Sequence, residues 1–169
     1  MTGHDPNLVA RTLGEERIAL EKWRDASFAD LLATSYATVV GERLVPEEVT
    51  GAEAAVWLYE APFGLLAHDT SPDPLFVYAN LTAQKRFEYG WDEFVGLPSR
   101  LSAGGQAREE RHLFMDAVRR QGYVDGYRGL RVAKPGRLFW IEDVTVWNIL
   151  GPESALVGQA ALVRRWADA

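Results

Sequence analysis

Few residues of this chain could do chemistry, and their spacing narrows what that chemistry is. The segment RLFWIEDVTVWNIL is apolar on both faces apart from a polar run at Glu142, Asp143 and Thr145. Alternation puts Phe139, Ile141, Asp143, Thr145 and Trp147 on one face, and Trp140, Glu142, Val144, Val146 and Asn148 on the other. A strand of that kind is covered on both sides. A carboxylate buried there needs a partner, because an unpaired charge in a core is too costly. Arg128 and Arg131 on the preceding segment are the candidates. The result is either a structural ion pair or an Asp–Arg–Thr patch that orients a ligand. Of the three histidines, His4 lies near the terminus, His68 ends a strand segment at the expected rim of a sheet, and His112 sits among Glu109, Glu110 and Arg111, which suits a solvated helix face. They are too far apart to gather a zinc ion, and HExxH is absent. With no cysteine there is no disulfide, thiolate metal site or Cys nucleophile. GxSxG, the P-loop and GxGxxG are missing, and GYRGLR is a glycine pattern inside a strand rather than a phosphate loop. The adjacent pairs Glu47-Glu48 and Glu109-Glu110 point in different directions on a helix and read as solvated charges. Phe63, Phe76, Tyr78, Phe87, Phe94, Phe114 and Trp147 either pack a core or line a pocket. Tyr78 and Trp147 are the better pocket candidates, since their polar atoms need partners when buried.

The elements that would position these groups change in period along the chain. Glu15 to Asp25 reads as a helix carrying Ile18, Leu20 and Trp23. Ser27, with Asp30 three residues on, is expected to start a second helix with the stripe Leu31, Leu32, Tyr36, Val39 and Val40, stopped at Gly41. Thr50 and Glu53 repeat the capping pattern before AAVWLYEA, which Pro62 closes. FGLLAH and LFVYAN are short strands split by DTSPDP. Asn80 caps the helix LTAQKRFEYG, and WDEFV is a helical turn between glycines. AREERHLFMDAVRRQG is a helix expected to bury Leu113, Phe114, Ala117 and Val118. YVDGYRGLRV, RLFWIEDVTVWNIL and ALVGQAALVRRW are strands of a meander turned at AKPG and GPES. Two strands, short helices, one longer helix and three strands form one antiparallel sheet of an α+β fold. The middle helices cover one face. The N-terminal helices of residues 1–60 cover the other, or pair with another subunit.

Composition sets the outer bounds. The 169 residues carry a formal charge of -6, 47% apolar and 25% charged residues, as in an ordinary globular domain. No apolar run approaches the roughly 20 residues of a membrane span. MTGHDPNLVA lacks a signal pattern, so the expected location is the cytoplasm, with no membrane partner. Lys85, Arg86, Arg119, Arg120, Arg164 and Arg165 are scattered over different elements, so no nucleic-acid face is expected.

The segments LYEAPFGLLAHDT, DPLFVYANLTAQKRFEYGWDEFVGLPSRLSA, REER, GYVDGYRGLRV, FWIEDVTVWNIL and GQAALVRRW resemble the MEKHLA-domain proteins, a family related to the PAS sensory modules. The resemblance spans residues 28 to 166. It implies a PAS-like five-stranded antiparallel sheet with short helices on one face, residues 61–169, packed as one unit with the helical extension of residues 1–60. It also implies sensing of a small molecule, light or redox state. PAS registers place Phe139, Ile141, Asp143, Thr145 and Trp147 inward, unless a bulge reverses part of the strand. In flavin-binding relatives a helix Cys attacks the flavin, which this chain lacks, and a last-strand Gln contacts the ring edge, as Gln159 would. Some PAS proteins hold haem through a His in the helical region, where His112 stands. Neither group has its full motif here, and the cofactor stays unassigned.

Three functions follow. The first is a ligand-binding sensory module without its own output domain, signalling through a homodimer or a partner protein. A small organic ligand would touch Tyr78, Asn80, Phe87, Arg128, Asp143, Thr145, Trp147 and Gln159. The second is a dimerisation module with a filled core, using the stripe at Leu31 to Val40. The third is a small enzyme with Asp143 as base and Tyr78 as electrophile. No catalytic motif supports it, and the chain is read as a non-enzyme.

Overall fold

The change of period at Phe63 is where the sheet begins. The computed structural model describes residues 22–169. The strands are β1 (Gly64–His68), β2 (Phe76–Ala79), β3 (Tyr123–Val132), β4 (Leu138–Leu150) and β5 (Leu156–Asp168). They form one antiparallel sheet in the order β2-β1-β5-β4-β3. The pairing of β1 with β5, Leu66 opposite Ala161, joins the first hairpin to the meander. This is the α+β arrangement that the order of elements implies.

Five helices follow the expected positions: α1 (Ala26–Val39), α2 (Gly51–Tyr59), α3 (Leu81–Phe87), α4 (Trp91–Phe94) and α5 (Arg108–Gln121). The cap of α1 is Asp25 rather than Ser27, because its carboxylate accepts the Ser27 N–H at 2.9 Å. Of the helix expected over Glu15 to Asp25, only Lys22–Arg24 is described, as a 3-10 turn. His4, Ile18 and Leu20 lie outside the described residues.

Each face of the sheet has its own core. On one, α1 and α2 set Leu32, Tyr36 and Leu58 against Leu65, Tyr78, Trp147 and Leu162. Tyr36 meets Trp147 edge-on with ring centroids 4.8 Å apart. The N-terminal helices therefore cover the sheet of their own chain. On the other face, Phe76, Phe87, Phe94 and Val118 pack on Leu66, Ile141, Val144, Val146 and Val163.

The register of β4 differs from strict alternation. Asp143 takes φ 51, and the β3 pairing shifts between Tyr127 and Gly129. One irregular residue moves every later side chain to the opposite face. Phe139 and Ile141 face the α5 side, and after the bulge so do Val144 and Val146. Trp147 and Ile149 turn to the α1 side instead. On β5, Val163 and Trp166 are three residues apart yet both belong to the α5-side core, so the neighbouring strand changes face with it.

Candidate functional site

The site lies where α5 crosses the sheet. An α-helix returns to one face at i, i+3, i+4 and i+7. From Arg111 that series runs through Phe114, Met115 and Val118, and Arg111 and Val118 are buried. Leu113, two residues from Arg111, is about 200° round the helix and is 62% exposed rather than buried. An arginine thus occupies a core position of an otherwise apolar stripe.

Beneath α5 the sheet presents a chain of buried polar side chains. His68 Nε2 lies 3.0 Å from Gln159 Oε1, and Nδ1 lies 3.1 Å from Ser99 Oγ. Gln159 Nε2 donates to the Met115 carbonyl at 3.0 Å and to Asn148 Oδ1 at 3.2 Å. Asn148 in turn donates to the Arg119 carbonyl at 3.0 Å. Since Gln159 spends its amide hydrogens on Met115 and Asn148, its oxygen faces His68. The network then assigns the proton to Nε2 and makes Nδ1 the acceptor of the Ser99 hydroxyl. Desolvation, and next the nearby Arg111 charge, hold the His68 pKa down to about 4, so the ring is neutral. Gly158 allows this approach: a Cβ there would stand 2.3 Å from the His68 carbonyl oxygen.

Beyond this chain lies a small chamber of about 40 Å³. Leu66, Phe76, Phe87, Ile141 and Val146 give it apolar walls, and Arg111, Arg131, His68 and Ser102 are its polar lining. Arg131 reaches it from β3, where Gly129 leaves the room: a Cβ at Gly129 would stand 2.7 Å from Arg131 Nη1. At His68, Arg111 and Met115 the chamber borders an outer cleft of about 390 Å³. The cleft runs between the loop Asp69–Pro74, the Ser99–Ser102 turn, α5 and the start of β5. Its volume is in the range of small-molecule sites.

Of the eight residues expected to touch a ligand, the structure brings Phe87 and Gln159 to this site, and Phe76 and Arg131, named for a pocket wall and for a pair with Asp143, line the chamber as well. Asn80 is a brace: its carbonyl accepts from Leu65 N and Ala83 N, and its amide donates to the Leu58 and Phe63 carbonyls. Tyr78 lies in the core beneath α1, tilted against Phe28, where burial pushes its phenol pKa up. Trp147 lies in that core too, opposite the inward placement. Thr145, also placed inward, donates to Asp125 at 2.7 Å and accepts from Arg164 at 2.8 Å. Arg164 reaches on to Tyr36, which belongs to α1. An Asp–Arg–Thr cluster exists, then, but with Asp125 and Arg164 in place of Asp143 and Arg128. Arg128 pairs with Glu142 at 3.0 Å and lies 3.7 Å over Trp140 at the surface. Asp143 is half-buried at the bulge and offers its backbone carbonyl to Arg164 at 3.1 Å. Asp143 and Tyr78 sit on strands three places apart in the sheet, about 14 Å, so they do not form an acid–base pair.

Sequence reasoning missed Arg111, Ser99 and Asn148, and placed His68 at the rim, whereas it is buried. The residues present do not fit a flavin. The chamber is about a tenth of an ordinary ligand pocket, and both amide hydrogens of Gln159 are engaged within the protein. His112 is exposed at the cleft among Arg108, Asp116 and Arg119, unlike the apolar setting of a haem ligand.

The family model described as MEKHLA domain matches residues 26–168. Among solved structures, a PAS domain from Colwellia psychrerythraea is similar at TM-score 0.58 and 19% identity, over 68% of this chain and 92% of that one. An RNA-binding light-oxygen-voltage receptor is similar at TM-score 0.60 and 19% identity, over 74% of this chain and 35% of that one. A light-oxygen-voltage domain studied with a flavin analogue is similar at TM-score 0.53 and 18% identity, over 68% and 83%. At these identities the likeness is one of fold, and the fold is PAS-like. No curated protein matches the chain. Among the described residues no helix is long and apolar enough to cross a membrane, and no cluster of acidic or histidine side chains could hold a metal ion.

Proposed function

The chain belongs to the MEKHLA family, and from that premise we propose that it is a PAS-like sensory module whose ligand occupies the cleft and chamber beneath α5. The observation that carries this reading is that His68, Arg111 and Met115 line both spaces. The polar chain of His68, Gln159 and Asn148 along the cleft floor offers a ligand donors and acceptors beside apolar walls. The bound state reaches a partner protein or a second copy through β5 and the N-terminal helices. β5 supports this route because it carries Gln159 at the cleft and Ala160 and Leu162 in the core under α1.

Met115→Trp tests the reading, because the larger ring fills the junction of chamber and cleft. In a thermal-shift screen of small metabolites, some compounds should raise the melting temperature of the natural chain and not that of the variant. Equal shifts for both proteins, across every compound, would overturn the ligand site and leave an interaction module.

A further inference from the structure

The charges around the chamber are one-sided. The chain carries a net charge of -6, yet the polar lining of the chamber includes two guanidinium groups and no carboxylate. Arg111 is 9% exposed, its Nε is buried with no hydrogen-bond partner, and among the described residues it makes no ion pair. Arg131 is 4% exposed and is met by neutral acceptors, the Leu130 carbonyl at 2.9 Å and the Tyr127 hydroxyl at 3.4 Å. Desolvation, and then the charge of Arg131, bring the Arg111 pKa down to about 9. The outer cleft differs. There Arg100 pairs with Asp73 at 3.2 Å and Arg119 with Asp116 at 2.6 Å. Arg108, exposed at the cleft, is met by the Ala103 carbonyl at 3.2 Å, so the buried positive charge without an anionic partner is at the chamber end.

Resting on the ligand-site reading above, we infer that the ligand is a small organic carboxylate whose carboxylate group enters the chamber against Arg111 and Arg131. A buried cation that keeps its charge needs an anion and hydrogen-bond acceptors. A carboxylate supplies both, in the planar geometry that a guanidinium fork matches. Size agrees: the chamber is small, about 40 Å³, and a carboxylate is a smaller anion than a phosphate. The apolar walls at Leu66, Phe76 and Phe87 suit the first carbons of the chain, and the remainder of the molecule extends into the cleft.

The test has two arms, both on the full chain. The first needs no ligand. Arg111→Met replaces the unpaired cation with an apolar side chain of similar length, and it should raise the melting temperature of the ligand-free protein by at least about 2 °C. A lower melting temperature, or failure to fold, would make Arg111 a structural residue and overturn the inference. The second arm compares acetate, butyrate, hexanoate and benzoate with their primary amides and with inorganic phosphate, at ionic strength fixed with sodium chloride. The expected result is a saturable rise in melting temperature with one or more carboxylates, absent with the matched amides and phosphate and lost in Arg111→Met. Equal shifts from amides, a response to phosphate that matches that to carboxylates, persistence in Arg111→Met or no shift at all would each overturn it. If the inference fails while Met115→Trp still removes metabolite binding, the site stands and takes a ligand of another class. If both fail, the site itself falls.

Discussion

At the scale of single residues, His68 is the most informative side chain. It is neutral because burial, and then the charge of Arg111, disfavour its protonation, with a folded pKa of about 4 against 6.5 for an unperturbed histidine. The unfolded chain binds the extra proton first as the solution is acidified. Stability is therefore full above about pH 6.5 and falls as the pH drops toward about 4, by up to about 3 kcal/mol. Urea unfolding midpoints across that interval should show the slope in the natural chain and a much weaker one in His68→Gln. Equal slopes would mean that His68 keeps solvent access. Little of this was legible in sequence. His68 closes a strand segment, which suggests a rim, and only the pairing of β1 with β5 brings Gln159 opposite it from 91 residues away. Asn80 was legible as a helix cap, because a strand, an Asn and a helix-forming run follow one another directly. Its second duty, bracing the Leu58 and Phe63 carbonyls, depends on where α2 ends and was not.

At the scale of elements, α5 and β4 show what periodicity can and does not reveal. The length and ends of α5 follow from its composition and from Gly122, which takes φ 98 just past the last turn. Of the face expected to be buried, Val118 is buried and Phe114 packs against the sheet, while Leu113 is exposed; the series Arg111, Phe114, Met115 and Val118 was the available signal. For β4 the alternation held until Asp143, where a left-handed residue in a bulge sent Thr145 and Trp147 to the other face. Apolar residues on both faces left nothing in the pattern to mark the change. Asp tolerates this conformation better than a branched residue does. Asp143→Gly should leave stability within about 0.5 kcal/mol, while Asp143→Val should cost about 1–2 kcal/mol. Chemical denaturation of the two variants checks this. Similar losses in both would show that the Asp side chain, rather than the backbone, holds the bulge.

At the scale of the whole molecule, the sheet is shared between two jobs. Its α1 side is a core in which Leu32, Tyr36, Leu58 and Trp147 are nearly inaccessible, and its α5 side carries the polar chain and the chamber. The order of elements gave this architecture in advance, because a strand apolar on both faces has to be covered twice. The stripe at Leu31 to Val40 was ambiguous between the chain's own sheet and a neighbour, and periodicity has no term for that choice. Since Leu32 and Tyr36 are spent on the sheet beneath them, removing residues 1–45 should uncover Trp147, Ile149 and Leu162. The truncated chain should then lose its sharp thermal transition and bind an apolar dye. A truncated protein that melts as cooperatively as the natural one would show that α1 is an accessory.

The most direct measurement on the central claim is native mass spectrometry of the full chain, gently purified, beside Met115→Trp prepared in the same way. A ligand beneath α5 predicts an adduct of one small-molecule mass on the natural chain, released on collisional activation and missing from the variant. Identical spectra at the bare chain mass for both proteins would contradict it.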